Sequence, residues 1–183
     1  MKKLLLPALV IFCISTTQAQ DMQGYRNPAA DERIPLEENL RQTSAEALQA
    51  TLYELISQRH AVQQAHWNVQ GPRFYALHDL LGHFYEDLGP KIDMIAERKL
   101  ALGVSADGRP TAVAEAADLE PVPEGYMDDQ RLLDLLTARY KTISDRLYER
   151  IEATGDDLVT QDMLINVTGM IDDQLWKLRA FQR

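Results

Sequence analysis

The side chains with chemistry to offer are four histidines, His60, His66, His78 and His83, and one pair of carboxylates, Asp93 and Glu97. A lone histidine on a helix is ordinarily a packed or solvated residue. His66, however, continues the apolar line of Val62, and His78 sits on the line between Phe74 and Leu81. Both therefore point inward, where a neutral imidazole needs a hydrogen-bond partner. Asp93 and Glu97 are four residues apart, share one helix face, and can hold a cation together. Their plainer alternative is a solvated acidic patch paired with Arg98 or Lys99. His78 and Asp93 lie fifteen residues apart, about 22 Å along one helix. Ligands of one metal each lie only ~2.0–2.6 Å from the ion. If the histidines and carboxylates share a metal, the second set must come from another subunit.

Other chemistries lack their residues. A di-iron site at the centre of a helix bundle uses Glu-x-x-His on two helices. The positions three before the four histidines hold Ser57, Gln63, Tyr75 and Leu80. His-Glu-x-x-His and a phosphate-cradling glycine loop are missing too, and no serine sits in a nucleophile elbow. Hydrolases, kinases and intrasubunit di-iron oxidases are disfavoured.

The elements that must position these groups read as helices. A first spans about Ser44 to Val69 on Leu48, Leu52, Leu55, Ile56 and Val62, with Ser44 as N-cap and Gly71-Pro72 as the stop. A second runs from Arg73 to Leu102 on Phe74, Leu77, Leu81, Tyr85, Leu88, Ile92 and Ile95. A third covers Asp128 to Thr154 and a fourth opens near Asp157, carrying Leu164, Val167, Ile171, Leu175 and Leu178. No alternating run suggests a strand. Short links make two antiparallel hairpins, one–two and three–four. About 25 residues join helices two and three, bracketed by Pro110, Pro121 and Pro123, with a short helical piece near Thr111 to Ala117. The architecture is all-α. A link of that length can run the length of the bundle, giving the single long crossover of a ferritin-like four-helix bundle, here carrying a short helix. Length and crossover alone say no more than helical bundle. Asp156, Asp157 and Asp162 read either as the lining of an entry pore or as a helix start favoured by the dipole.

Residues 1–19 have the three parts of a secretory signal: Lys2-Lys3, the apolar run Leu4 to Ile14, and Thr17-Gln18-Ala19 before a cleavage point. Eleven apolar residues are too few for the ~20 of a spanning helix. The expectation is export, to the periplasm or beyond, with no membrane association after cleavage. Residues 20–43 form a polar arm and residues 44–183 the folded domain. The 183-residue chain has a net charge of −9. Without Lys2 and Lys3 it keeps 17 basic and 28 acidic residues, a net −11. Cys13, the only cysteine, leaves with the signal, so stability must come from packing or assembly. This charge repels DNA phosphates and attracts cations.

Ala65-His66-Trp67-Asn68-Val69-Gln70-Gly71-Pro72, Phe74, Leu77-His78 and Asp93-Met94-Ile95-Ala96-Glu97-Arg98 together resemble the signature of Dps proteins, the mini-ferritins. Asp157-Leu158-Val159-Thr160 and Asp173-Gln174-Leu175-Trp176 resemble that family's fourth helix, so the likeness spans Ser44 to Phe181. The resemblance implies a hollow homo-oligomer of twelve subunits with iron sites at the two-fold interface. It implies that His66 and His78 of one subunit and Asp93 and Glu97 of its partner bind iron and carry the ferroxidase reaction, with peroxide or dioxygen as oxidant.

The sequence departs from that pattern in three places. Gly82 stands where a further aspartate ligand is usual; His83 lies about 100° away around the helix, and Glu86 is one turn on. Gly89-Pro90 falls between the histidine and carboxylate halves of helix two, where proline is expected to kink it. The arm is net acidic rather than lysine-rich. The resulting reading is an exported shell that oxidises Fe(II) and stores Fe(III). Its alternatives are a non-catalytic metal-binding shell, or a DNA-binding Dps protein if the chain stays in the cytoplasm.

Overall fold

The structure is a computed structural model that describes residues 34–182; the expected signal segment and most of the arm lie outside them. The described chain forms α1 (Glu38–Asn68), β1 (Val69–Gln70), α2 (Phe74–Ala101), α3 (Pro110–Ala116), β2 (Met127–Asp128), α4 (Asp129–Ala153) and α5 (Leu158–Phe181). α1 packs chiefly on α2, and α4 on α5, while α1–α4 and α2–α5 contacts close the bundle. The all-α fold with a short helix in the crossover is the one expected.

Apolar residues at steps of three and four make each helix bury one stripe. Leu48, Leu55 and Val62 of α1 meet Leu77, Leu81, Phe84, Leu88 and Ile95 of α2. Leu132, Leu136, Tyr140, Ile143 and Leu147 of α4 and Leu164, Val167, Ile171 and Leu178 of α5 complete the core. Several buried polar groups in this interior have partners, although Gln58 Nε2 and Thr137 Oγ1 are buried without one among the described residues. Tyr140 Oη donates to Gln174 Oε1, and Glu54 is held by Arg146 and Arg150. The bundle interior is thus packed, and the one buried glutamate among the described residues, Glu54, sits between two arginines.

The ends of the helices differ from expectation in ways that packing explains. α1 starts at Glu38, so the boundary drawn between residues 43 and 44 falls inside a helix. Ser44 is no cap but a fully buried helical residue. Ile34 and Leu36 pack on the core, and the buried Arg41 donates to the Leu36 carbonyl. These contacts extend the helix through polar Gln42-Thr43. α4 is capped by Asp128, which accepts from the backbone N–H of Gln130 and Arg131. Asp157 caps α5 through the N–H of Thr160. α2 continues unbroken through Pro90. Proline removes one donor to the Glu86 carbonyl, but Leu88 and Ile95 anchor the core face on both sides.

Asp157 does not line a pore. It is 2 % exposed and pairs with Arg98 at 3.0 Å. Burial acts to raise its carboxyl; hydrogen bonds from Thr160, with Arg98, outweigh that and hold it below the ordinary range. Asp156 and Asp162 are exposed.

The crossover is tied down along its length. Gln49 accepts from Asp107 N and donates to its carbonyl. Tyr53 packs with Ala112, Val113 and Ala117 of the short helix. Arg139 reaches the Glu120 carbonyl, and Arg146 the Ala117 carbonyl. The chain then makes a parallel bridge, Val69 to Met127 and Gln70 to Asp128. Two residues per strand are too few to show an alternation in sequence.

That bridge fixes the turn between α1 and α2. Gly71 has φ +128°, and a Cβ there would lie 2.7 Å from Asp129 Cγ. Asp129 accepts from Arg73 N and from both Nε and Nη2 of its guanidinium. These bonds, the guanidinium first, lower its carboxyl from the ordinary 3.8 to about 2. Gly71→Ala combines a strained backbone with a clash against this ion pair. It is expected to cost about 2 kcal/mol or more, read from the urea midpoint of the intact protein. An unchanged midpoint would mean that the turn does not need glycine.

Candidate metal centre

The turn brings the end of α1 against the start of α2, and there the two inward histidines meet. His66 Nδ1 donates to the His78 carbonyl at 2.6 Å, and His78 Nδ1 donates to the His66 carbonyl at 2.8 Å. A carbonyl only accepts, so each Nδ1 must carry the hydrogen. In the neutral ring this leaves the lone pair on Nε2, which is the arrangement that prepares a histidine for a metal. The rings stack with centroids 3.7 Å apart. Phe74 lies 5.3 Å from His78, and Tyr85 stands edge-on to His66 at 5.4 Å. Both histidines are half-buried.

Asp93 and Glu97 sit on the other half of α2, exposed. The alternative in which they pair with Arg98 or Lys99 is not what the fold does. Arg98 turns inward to Asp157 and Thr160. Lys99 Nζ, whose charged form burial disfavours, donates to Gln49 Oε1. Lys91 donates to Asn166. Among the described residues neither Asp93 nor Glu97 has an ion pair or hydrogen bond. Like charges four apart on a helix repel by roughly 0.2–0.5 kcal/mol, a repulsion that a shared cation would reverse.

The structure therefore brings His66 to His78, and Asp93 to Glu97, but not one pair to the other. Among the described residues no three of His, Cys, Asp and Glu group closely enough to hold a metal within one chain. A metal using all four would need two chains. His60 and His83 are exposed, and His83 lies 3.9 Å from Asp79, away from the imidazole pair.

Gly82 faces His66 of that pair. A Cβ built on it would sit 3.4 Å from His66 Cε1 and 3.6 Å from Nδ1, an ordinary contact. A carboxylate at this position would thus fit beside the imidazole. One turn on, the residue that meets His66 is Tyr85, while Glu86 is exposed. Its place on the apolar line of α2 marks Tyr85 only as a core position, and it is partly buried against the core. Its spacing of seven from His78 and three from Gly82 places it on the histidine face and could have marked it. Trp67 is 62 % exposed, so it is not a core residue, and Phe74 and Tyr75 are also largely exposed.

The comparisons with known proteins bear on the family and the fold. The ferritin-like domain family matches residues 45–183. "DNA protection during starvation protein 2" of Deinococcus radiodurans is 37 % identical over 139 residues, 75 % of this chain; the chain spans 58 % of that protein's length. The fine tangled pili major subunit of Haemophilus ducreyi is 30 % identical over 167 residues, 90 % of this chain and 88 % of that protein. The crystal structure of Dps92 from Deinococcus radiodurans superposes with TM-score 0.77 at 36 % identity, covering 78 % of this chain and 87 % of that one.

The crossed bonds make a further expectation. Replacing either imidazole removes one Nδ1–carbonyl bond and one face of the stack, costing about 1 kcal/mol in metal-free protein. His66→Ala and His78→Ala together should cost less than the sum of the two, because each ring stacks on the other. Denaturant midpoints of the four proteins check this, and strict additivity would show that the rings are uncoupled.

Proposed function

The chain belongs to the Dps branch of the ferritin-like family, and on that premise we propose that it is an exported mini-ferritin that oxidises Fe(II) at sites shared between two subunits. The observation that carries this reading is the reciprocal Nδ1 bonding of His66 and His78. It leaves two Nε2 atoms as ligands, while Asp93 and Glu97 remain unpaired on α2, the carboxylate pair beginning some four turns beyond His78. A two-fold pairing that sets the α2 helices of two subunits antiparallel would bring one subunit's imidazoles to the other's carboxylates. A closed assembly of twelve subunits would then enclose the Fe(III) product.

The roles follow from ligand chemistry. Imidazole suits iron, and carboxylate oxygen favours the harder, more highly charged ferric ion. Iron enters as substrate and leaves the site as Fe(III). Peroxide or dioxygen accepts the electrons. His66, His78, Asp93 and Glu97 can complete one iron position, with water filling the rest. Gly82 deprives a second position of its carboxylate, so a second iron binds weakly there. The chain's net charge of −9 favours cation approach and disfavours DNA phosphates, so a role in coating duplex DNA is not part of the proposal. Export rests on the signal-like residues 1–19.

A second reading, a structural shell without catalysis, draws on Gly82 and on the resemblance to a major pilus subunit. Two variants separate the readings. Glu97→Ala should lower Fe(II) oxidation by peroxide at least ~10-fold with the oligomer intact by light scattering, because Glu97 is exposed in the single chain and outside its core. Gly82→Asp should tighten the second iron position and speed oxidation. If Glu97→Ala oxidises iron as fast as the parent, the shared-site assignment fails and the non-catalytic shell is the better account.

A further inference from the structure

Peroxide takes two electrons, and a site with one strong iron position supplies one. The glycine at position 82 therefore raises the question of where the second electron comes from. The histidine face of α2 offers a group that can give it. Tyr85 stands one turn beyond Gly82, half-buried, with its ring edge-on to His66 at a centroid separation of 5.4 Å. His66 in turn stacks on His78 at 3.7 Å. Tyr85, His66 and His78 form one continuous aromatic contact. The Tyr85 hydroxyl has no hydrogen-bond partner among the described residues. Trp67, the other oxidisable ring near the pair in sequence, is 62 % exposed and has no ring contact with either imidazole among the described residues.

We propose that Tyr85 is the one-electron partner of the iron bound by His66 and His78, standing in for the second iron that Gly82 has weakened. The proposal rests on the ferroxidase reading with peroxide as oxidant. Fe(II) gives one electron to peroxide, the O–O bond breaks, and hydroxide and a hydroxyl radical result. The radical takes a hydrogen atom from Tyr85 Oη, giving water and a tyrosyl radical. A second Fe(II) arriving later returns the electron, and a proton from solvent restores the phenol. Two Fe(II) are oxidised per peroxide, and no hydroxyl radical leaves the site.

The test is rapid-freeze electron paramagnetic resonance on the full assembly, loaded anaerobically with one Fe(II) per site and mixed with peroxide. The parent should give a tyrosyl signal that narrows when the protein carries ring-deuterated tyrosine. Tyr85→Phe keeps the ring against His66 and should lose that signal. It should also release hydroxyl radical to a spin trap several-fold more than the parent. Gly82→Asp, by restoring a second iron, should lower the radical yield several-fold. Iron oxidised in the parent without a tyrosyl signal, or a signal that survives Tyr85→Phe, overturns this role and leaves the ferroxidase reading standing. Fe(II) left unoxidised by peroxide overturns both.

Discussion

Two imidazoles that hydrogen-bond each other's helix carbonyls are the constraint on which the rest of this structure depends. His66 ends α1 and His78 lies in the second turn of α2, so their crossed bonds require the two helices to be joined by a turn of fixed shape. Gly71 supplies the backbone angle, and Arg73–Asp129 fastens the turn to the start of α4. The bridge from Val69–Gln70 to Met127–Asp128 does the same through the main chain. The crossover must return to this end of the bundle to supply β2 and Asp129. Its ties to Gln49, Arg139 and Arg146 therefore serve the histidine face as well as the core.

A second constraint is separation along α2. The helix carries imidazoles near one end and free carboxylates near the other, and Pro90 between them does not break it. One unbroken helix cannot fold back on itself, so the two half-sets can cooperate only by meeting another molecule's complementary halves. The inward commitment of Arg98 and Lys99 keeps Asp93 and Glu97 available for that meeting. In a single chain the price is visible as unpaired like charges and exposed rings at Trp67, Phe74 and Tyr75.

Much of this was legible in the sequence because it follows from periodicity. Leu48, Leu55, Leu81, Tyr140 and Ile171 sit in the core as their spacing predicts, and the long crossover fixes the bundle class. The inward direction of His66 and His78 could be read from their apolar neighbours, and the two-chain requirement from helix rise alone. The early start of α1 was not legible, because Arg41 and Ser44 are polar residues whose burial depends on tertiary partners. Asp157 looked like a surface carboxylate for the same reason, its partner Arg98 being 59 residues away in sequence. The crossed Nδ1 bonds and the place of Tyr85 beside Gly82 needed three dimensions.

Sharing of the site between subunits is the central claim, and co-assembly tests it most directly. One variant carries His66→Ala and His78→Ala, the other Asp93→Ala and Glu97→Ala, and anaerobic Fe(II) titration counts tight sites. Each variant alone should have none. When the two are unfolded and reassembled together in equal amounts, random two-fold pairing regenerates intact sites at about a quarter of the parental number. Recovery near that level is the predicted result. A mixed assembly that forms normally yet recovers no site would contradict a centre built from two chains.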